Sequence, residues 1–480
     1  MFWQRRDIDQ LRKIQKVFIN DNRIVECEEG ESIYQVLADS GFAFLGNCGG
    51  KGICKKCFVD VGKWTLSGEK ACPSERKRVL ACEYKIQNNI LVYTGNLWQY
   101  TGNDKRIDQN RIPEEAVTVK CQNVGVAVDL GSTTIAVSCM DLNRKEELMA
   151  FSFSNPQYAY GADVISRIHF CMEEKGNLLL LEQAVRQTLK ERLKRKLGAL
   201  YPNIRGIVYN GNTTMLHILR GFSVEGLSKS PFSPVSTGYE ETEEKGIKTI
   251  FPPGFSAFVG ADILTGAEFL EMGKEQKFDF LIDLGTNGEM LLLNRECGYA
   301  TATACGPVFD SAVTGAVYGS ESMRAIANCV KRRLVDTTGR IAKPYFDKGI
   351  EIDKEFVIKQ DNIRDFQLAK GAIYAGIQCL LKKADVTADK IANVYISGGL
   401  GFNMDIRDAF TVKMLPKEFT GKIRISGNSS LEGAKKLLVA DQEEQQKIIS
   451  EYEAIKKRTV SFELADLDMF QETYMQSLNF

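Results

Sequence analysis

The stretch that decides the fold is VGVAVDLGSTT at residues 124–134, an apolar run that ends in Asp129 and continues into a turn of small residues. The same pattern returns as FDFLIDLGTNG at residues 278–288, with Asp283 in the place of the first aspartate. Internal repeats separated by the length of one compact lobe predict two similar structural units. Each copy predicts a strand, a tight turn and a second strand, so we expect two α/β lobes.

The two turns carry residue types that bind a polyphosphate. Small residues let the backbone approach phosphate oxygens, which N–H and hydroxyl groups then coordinate. An aspartate at the end of a strand can hold Mg²⁺ or its bound waters. Two facing copies would clamp the phosphate tail of a nucleotide from both sides. The candidate catalytic carboxylates are Asp129 and Asp283, and the candidate binding residues are Gly131, Ser132, Thr133, Thr134, Gly285, Thr286, Asn287 and Gly288.

A third strand, Ala392–Ile396, ends in the small residues Ser397-Gly398-Gly399-Leu400-Gly401. The three motifs, in this order, resemble the phosphate-1, phosphate-2 and adenosine motifs of the actin, sugar-kinase and heat-shock-chaperone superfamily. The resemblance implies that Gly398 and Gly399 let adenosine lie close to the backbone. It also implies that the two strand-end aspartates lie near the metal and the phosphates.

Two further segments are assigned to the same domain. The predicted strand at residues 204–209 leads into Gly211-Asn212-Thr213-Thr214, in which Asn212 and Thr213 are candidates to reach the nucleotide or the cleft between the lobes. The helix over residues 369–376 has small residues on one face. Such a face suits the crossing helices between the two lobes of this fold.

The N-terminal part of the chain contains a cluster of cysteines. Cys48, Cys54 and Cys57 follow the spacing C-x5-C-x2-C, with glycines inside the loop. Glycine allows successive N–H groups to turn toward the bridging sulfides of an iron–sulfur cluster. A four-cysteine cluster needs one more thiolate, and Cys82, beside a predicted strand, is preferred to Cys72 in a charged, turn-like stretch. Zinc is the alternative, but its ligands usually come as tight pairs, and this loop has one such pair.

The cysteine loop, together with Leu80-Ala81-Cys82, resembles a plant- or adrenodoxin-type ferredoxin that holds a 2Fe–2S cluster. Plant-type loops have four residues between the first two cysteines, so the five found here favour the adrenodoxin variant. The expected fold class is α/β plus α+β: a β-grasp ferredoxin domain at residues 1–94, a linker at 95–120, and a two-lobed, actin-like (ribonuclease H-like) ATPase domain at 121–480. The lobes are expected near 121–275 and 276–440, with a C-terminal tail at 441–480.

A ferredoxin fused to this ATPase fold resembles the reductive activators of corrinoid proteins. The resemblance covers roughly residues 16–438 and includes NPQ at 155–157, YGADVISRI at 160–168, GAD at 260–262, and GNSSLEGA at 427–434. The string GPVFD at residues 306–310 also belongs to it and makes Asp310 a third candidate catalytic carboxylate. Larger members of the family carry an extra middle domain, which this chain is expected to lack.

The resemblance implies an ATP-dependent reductive activator that passes an electron from its 2Fe–2S cluster to an inactive Co(II) corrinoid protein, restoring Co(I) for methyl transfer. The implied cofactors are the 2Fe–2S cluster, ATP and Mg²⁺. The cluster ligands would be Cys48, Cys54, Cys57 and Cys82. The implied partners are a corrinoid protein of a methyltransferase system and an upstream low-potential electron donor, and a homodimer is an assembly that the sequence allows.

Two other functions stay open. The first is an ATP-dependent electron donor to another low-potential enzyme, like the activators of radical dehydratases, which hold a [4Fe–4S] cluster through cysteines of the ATPase half. Here Cys305 and Cys329 lie in that half without a close cysteine partner. The second is a redox or nucleotide sensor without catalytic activity.

Composition excludes several other classes of protein. The 480 residues include 62 basic and 62 acidic side chains, and a balanced charge argues against a nucleic-acid or membrane-surface binder. The presence of only two histidines argues against a histidine-built metal centre. The N-terminus has no apolar signal-peptide core, and no apolar run approaches the length of a membrane span. We therefore predict a cytoplasmic protein, in which most of the 13 cysteines stay reduced.

Overall fold

The computed structural model describes residues 14–19, 23–39, 42–43, 57–63, 76–93, 98–99, 121–306, 320–352, 357–399 and 404–480. The chain forms two compact units, Met1–Thr101 and Gly102–Phe480. In the part of the chain that is described, no helix combines the length and the apolar character needed to cross a bilayer.

The first unit is built on a five-stranded sheet of order β2-β1-β6-β4-β5. Strand β1 pairs antiparallel with β2 and parallel with β6. Alternate residues such as Val17 and Val59 pack against Ile33 and Leu37 of the helix, because successive side chains of a strand point to opposite faces. The elements are β1 (Ile14–Ile19), β2 (Arg23–Glu28), α1 (Ile33–Asp39), β3 (Phe42–Ala43), β4 (Phe58–Lys63), β5 (Lys77–Leu80), β6 (Ile90–Tyr93) and β7 (Trp98–Gln99).

The first lobe of the second unit contains a six-stranded sheet of order β10-β9-β8-β11-β13-β12. Strand β8 pairs antiparallel with β9 and parallel with β11. In α3, leucine or valine recurs at every fourth position from Leu181 to Leu197, and these side chains lie on the buried face of the helix. The elements are β8 (Val124–Leu130), β9 (Thr134–Asp141), β10 (Glu146–Ser154), α2 (Val164–Glu173), α3 (Asn177–Leu197), β11 (Ile204–Gly211), α4 (Thr213–Leu219), β12 (Glu240–Glu244) and β13 (Ile247–Phe251).

The second lobe repeats this arrangement in a six-stranded sheet of order β20-β19-β14-β15-β16-β21. Strand β14 pairs antiparallel with β15 and parallel with β19, as β8 does with β9 and β11. The elements from the end of the first lobe to the third motif are α5 (Ala261–Phe269), β14 (Phe278–Leu284), β15 (Asn287–Leu293), β16 (Gly298–Ala304), α6 (Ser320–Lys331), β17 (Ile350–Glu351), β18 (Val357–Ile358), α7 (Gln360–Lys383) and β19 (Ile391–Ser397).

The C-terminal segment adds a strand and helices to the second lobe. Strand β21 pairs in parallel with β16 and so extends the sheet at one edge. Helix α11 packs against α7. The remaining elements are α8 (Ile406–Thr411), β20 (Ile423–Gly427), α9 (Ser429–Val439), α10 (Gln442–Arg458), β21 (Thr459–Ser461) and α11 (Asp468–Gln476).

The helix predicted to cross between the lobes does not do so. Residues 369–376 lie in α7, where Ile373 and Ile377 join the core of the second lobe and Gly376 faces Met290. The helices that connect the lobes are α5 and α9, whose apolar residues share one core with both sheets. A face of small residues permits close packing against any neighbour, so the sequence pattern could not identify which neighbour it was.

The crossing of α5 and α9 depends on Gly433. A Cβ atom at this position would lie 2.4 Å from the carbonyl oxygen of Thr265, a backbone atom that cannot move aside. We expect Gly433→Ala to lower the free energy of unfolding by about 1–3 kcal/mol, as overpacking does elsewhere, measured by calorimetry. Gly238→Ala is the control, because its nearest neighbour would be Ser236 Oγ at 3.7 Å. Equal melting temperatures for the two variants would contradict this packing.

Candidate functional site

The turns of the internal repeat face each other across the cleft between the lobes. Thr133 Oγ1 and Thr286 Oγ1 are buried and lie 2.9 Å apart. The first turn is tight, because a Cβ on Gly131 would lie 2.5 Å from the carbonyl oxygen of Thr134. The structure therefore brings together the two sets of residues proposed from the sequence to hold phosphates.

The third motif closes the end of the cleft in the second lobe. Gly398 has a φ of +84° and follows β19, which pairs with β14. A Cβ on Gly398 would lie 2.6 Å from Leu284 O and 2.7 Å from Asp283 Oδ1. A Cβ on Gly399 would meet no atom of the described residues within 4 Å. The glycine turn therefore lies against the second strand-end aspartate, Asp283.

Four carboxylates share this cleft: Asp129, Asp283, Asp262 and Glu289. Asp129 Oδ2 accepts a hydrogen bond from Asn428 Nδ2 and Asp129 Oδ1 accepts one from Ser430 Oγ, each at 2.8 Å. Asp283 stands opposite Ser397 in the β14–β19 pair, and the Ser397 hydroxyl lowers the pKa of Asp283. Asp262 lies in the first turn of α5, and Glu289 stands opposite Asp283 in the β14–β15 pair. Asp262 and Glu289 were not among the residues chosen from the sequence.

Burial raises the pKa of all four carboxylates, and neighbouring carboxylates raise it further for three of them. Burial raises the pKa of Asp129. Burial and the charge of Asp129 raise the pKa of Asp283 to about 6. Burial and the charges of Asp283 and Asp129 raise the pKa of Asp262 to about 8. Burial, Asp262 and Asp283 raise the pKa of Glu289 well above its ordinary value.

This arrangement suits a magnesium ion held partly by a nucleotide. A divalent cation would relieve the repulsion among the carboxylates. Among the described residues, no three His, Cys, Asp or Glu side chains form a metal site by themselves. Mg²⁺ commonly takes one or two protein carboxylates and completes its shell with waters and substrate phosphates. The donor set therefore fits Mg²⁺ that arrives with a polyphosphate.

The raised pKa values predict a definite dependence of stability on pH. Between pH 4 and pH 8 the folded state binds more protons at Asp262 and Asp283 than the unfolded state does. The ordinary pKa of an aspartate is 3.8, whereas folding raises the pKa of Asp262 to about 8 and that of Asp283 to about 6. The free energy of unfolding therefore falls as pH rises through this window.

We expect Asp262→Asn to raise the melting temperature by about 2–4 °C at pH 8 without divalent cations, and by less at pH 5. Asparagine keeps the Oδ1 atom that accepts from Ile263 N. Scanning calorimetry at the two pH values measures the effect, and exposed Asp347→Asn is the control. A lower melting temperature for Asp262→Asn at pH 8 would contradict the electrostatic argument.

The side chains of Asn212 and Thr213 make local hydrogen bonds. Asn212 Oδ1 accepts from Met215 N at 3.0 Å and caps α4, and Thr213 Oγ1 donates to Ser256 O at 2.6 Å. A Cβ on Gly260 would lie 2.5 Å from Asn212 Cα. These two candidates therefore shape the loop beneath the start of α5, close to Asp262.

The first unit brings together two of the four predicted cluster cysteines. Cys57 Sγ lies 3.1 Å from Cys82 Sγ. The β4–β5 pair, in which Phe58 stands opposite Leu80, places the two cysteines at one end of the hairpin. Two thiols this close fit a shared iron–sulfur cluster, which is bound by cysteine thiolates. Outside the described residues lie Cys48, Cys54 and Cys72, as does Asp310 of the other unit.

Three family models match the chain. A model of a 2Fe–2S iron–sulfur cluster binding domain matches residues 17–87. A model of the RACo middle region matches residues 124–275, and a model of the C-terminal ASKHA domain of RACo matches 277–338 and 311–480. The chain belongs to the RACo family. The predicted family and fold class are confirmed, and so is the cofactor set of a 2Fe–2S cluster, ATP and Mg²⁺.

The RACo middle region corresponds to the first lobe of the two-lobed unit. That region is one of the two lobes that form the cleft, and it is not a further domain inserted between the ferredoxin unit and the lobes. The expectation that this chain lacks an extra middle domain therefore stays a prediction.

Two relatives match nearly the whole of this chain. The corrinoid activation enzyme RamQ of Eubacterium limosum is 25% identical over an alignment 594 positions long, gaps included. The alignment covers 95% of this chain and 97% of that protein. A solved structure of a reductive activator for corrinoid, iron–sulfur protein is 22% identical, with a TM-score of 0.67, and the match covers 97% of this chain and 98% of that chain. The second likeness shows that the two proteins share a fold.

Proposed function

We propose that this chain is an ATP-dependent reductive activator that delivers one electron to an inactive Co(II) corrinoid protein and restores Co(I) for methyl transfer. The observation that carries the proposal is the union of two sites in one chain. One is the Cys57–Cys82 thiol pair in a 2Fe–2S domain, and the other is an ATPase cleft in which the two phosphate turns meet at Thr133 and Thr286.

The proposal assigns roles to the predicted site residues. Asp129 and Asp283 hold Mg²⁺ and its waters beside the phosphates, and Asp262 and Glu289 complete the carboxylate wall of the cleft. The two phosphate turns bind the triphosphate, Gly398 and Gly399 receive adenosine, and Asp310 is a third catalytic carboxylate. Asn212 and Thr213 are retained as nucleotide-binding candidates, with the role of shaping the cleft.

Cys48, Cys54, Cys57 and Cys82 are proposed as the cluster ligands, with Cys72 the alternative to Cys82. When bound, the 2Fe–2S cluster supplies one-electron transfer at low potential. The proposed domain boundaries are residues 1–94, 95–120 and 121–480. The proposal also includes a cytoplasmic location, an upstream low-potential electron donor, and neither nucleic acid nor membrane as a partner. Light scattering of the purified protein tests the homodimer.

The energetics explain why ATP is needed. Plant-type clusters lie near −400 mV, and each 59 mV of a one-electron gap corresponds to about 1.4 kcal/mol. A gap of about 100–200 mV to the Co(II)/Co(I) couple therefore costs roughly 2–5 kcal/mol. Coupling between two sites typically amounts to about 1–3 kcal/mol. Nucleotide binding alone falls short over the upper part of this range, so we expect docking of the corrinoid protein to contribute as well.

ATP hydrolysis in the presence of a corrinoid protein tests the proposal. We expect phosphate release to increase when the Co(II) form of the partner is added, and to increase less with the methylated form, which needs no reduction. A sensor without catalytic activity would show no turnover that depends on the partner. Stimulation by another low-potential enzyme, and by no corrinoid protein, would overturn the proposal in favour of a different electron acceptor.

A further inference from the structure

Two buried side chains hold the first phosphate turn from behind. Asn155 Nδ2 donates to the carbonyl of Gly131 at 2.8 Å, and its backbone N–H donates to the carbonyl of Thr133 at 2.7 Å. Arg167 donates to the carbonyl between them, that of Ser132, at 2.5 Å. Three successive carbonyls of the turn are therefore fixed by two residues that have almost no exposed surface.

The direction of these carbonyls determines the direction of the N–H groups. In a planar trans peptide the C=O of one residue and the N–H of the next point to opposite sides. Because the carbonyls of residues 131–133 point back toward Asn155 and Arg167, the amide groups that follow them point away from this pair. Thr133 Oγ1 of the same turn meets Thr286 across the cleft.

Arg167 places a positive charge directly behind this turn. Its remaining hydrogen bonds go to neutral acceptors, namely the carbonyl of Gly161 at 3.0 Å, Met215 Sδ at 3.0 Å and Gln157 Oε1 at 3.4 Å. Burial lowers its pKa to about 10, so the guanidinium stays charged at neutral pH. A buried charge without a close counter-ion is costly.

Within the described part of the chain, no acidic side chain forms an ion pair with Arg167. The carboxylate that acts on it most strongly is that of Asp163, which raises its pKa at longer range. Asp163 itself caps α2 by accepting from the backbone N–H and the hydroxyl of Ser166, each at 2.8 Å. An anionic phosphate on the other side of the turn would supply the missing counter-charge.

We propose that Arg167 and Asn155 are positioning residues of the ATP site, which fix the carbonyls of the first phosphate turn, while the charge of Arg167 favours the phosphates of the nucleotide. The inference rests on the proposed nucleotide site. It also gives a role to two strings, at residues 155–157 and 160–168, that the sequence analysis recognised only as family features. Neither residue touches the nucleotide, because both act through the turn.

Calorimetric binding of ATP and of adenosine to the full-length protein tests this inference. We expect Arg167→Met to weaken ATP binding at least tenfold, about 1.4 kcal/mol, because the variant loses both the charge behind the turn and the donor to the carbonyl of Ser132. Adenosine binding should not change, since adenosine is assigned to the turn at Gly398 in the other lobe. A residue that only stabilised the first lobe would not change the ratio of the two affinities.

A matched control is available in the same lobe. Arg186 of α3 donates to Glu182 Oε1 and to Leu219 O, each at 2.8 Å, and does not touch the phosphate turn. Arg186→Met should leave both affinities unchanged. If Arg167→Met does not fold, Asn155→Leu provides the test, because it removes the donor to Gly131 while keeping a similar volume. Asn155→Leu should weaken ATP binding about threefold to tenfold without changing adenosine binding.

The outcomes separate this inference from the function on which it rests. Failure of the unsubstituted protein to bind ATP would overturn the nucleotide site, and the positioning role with it. ATP binding by the unsubstituted protein, together with an unchanged ratio of ATP to adenosine affinity in the folded variants, would overturn the positioning role alone. A selective loss of ATP affinity in those variants, absent from Arg186→Met, would support it.

Discussion

Protein in which Cys82 is replaced by alanine is expected to contain no 2Fe–2S cluster and to reduce no corrinoid protein. Cys82 Sγ lies 3.1 Å from Cys57 Sγ, so the two thiols occupy one corner of the proposed site. Four thiolates hold a cluster of this type, and alanine offers no donor in place of the lost sulfur. Iron content, visible absorbance and the electron paramagnetic resonance spectrum of anaerobically purified protein measure the loss.

Cys72→Ala is the matched control for Cys82→Ala. It tests the alternative fourth ligand and should leave the cluster in place. Cys27→Ala, at a buried position of β2, should also retain the cluster. A full complement of iron in Cys82→Ala, or its loss in Cys72→Ala, would contradict the ligand assignment.

The second large effect is expected for Asp283→Asn, which should reduce ATP hydrolysis by about 10²–10³-fold, as loss of an electrostatic catalytic group does elsewhere. Asp283 is the second-last residue of β14 and lies beside the turn at Gly398 and the carboxylates Asp129 and Asp262. Asparagine keeps the shape of the side chain but removes the charge that attracts Mg²⁺. Phosphate release at saturating Mg-ATP measures the effect, and ATP binding without Mg²⁺ should be nearly unchanged.

Asp279→Asn on the same strand is the control for Asp283→Asn. Asp279 accepts hydrogen bonds from Gly273 N at 3.1 Å and Asn393 Nδ2 at 2.9 Å and is therefore occupied in structural contacts. Its replacement should change thermal stability more than turnover. An Asp283→Asn variant that hydrolyses ATP at the unsubstituted rate would show that this carboxylate is not part of the catalytic machinery.

The repeat at residues 124–134 and 278–288 made the two-lobed fold predictable. A strand, a turn and a second strand are local features that a sequence reveals directly. Two copies of this pattern in the same order are compatible with few folds other than two similar lobes. The sheets confirm this reasoning, since β8 and β14 have the same pattern of antiparallel and parallel neighbours. The facing of Thr133 and Thr286 then follows from the pseudo-symmetry of the lobes.

The rest of the site depends on contacts between distant parts of the chain. Asn428 and Ser430 approach Asp129 across 299 and 301 residues, a relation that no local pattern reveals. Asp262 lies within a motif that was recognised, GAD at 260–262, and Glu289 directly follows the second phosphate turn. Nothing in their immediate sequence showed that both side chains enter the cleft. A search for carboxylates within the motifs themselves would have found Asp262.

Helix assignment failed for a related reason. Small residues at 369–376 permit close packing, but so does Gly433 in α9, and only the folded protein shows that α9 rather than α7 lies between the lobes. The roles of Asn155 and Arg167 were hidden in the same way, because their partners are backbone carbonyls rather than side chains. Backbone acceptors carry no signature in the sequence.

The most direct test of the account follows the visible spectrum of a Co(II) corrinoid protein mixed anaerobically with the pre-reduced protein. We predict that the Co(I) spectrum develops when Mg-ATP is present, and that it does not develop with Mg-ADP or with the Asp283→Asn variant. Persistence of Co(II) in the complete mixture, or formation of Co(I) at the same rate without ATP, would contradict the claim that this chain couples ATP to the reduction of cobalt.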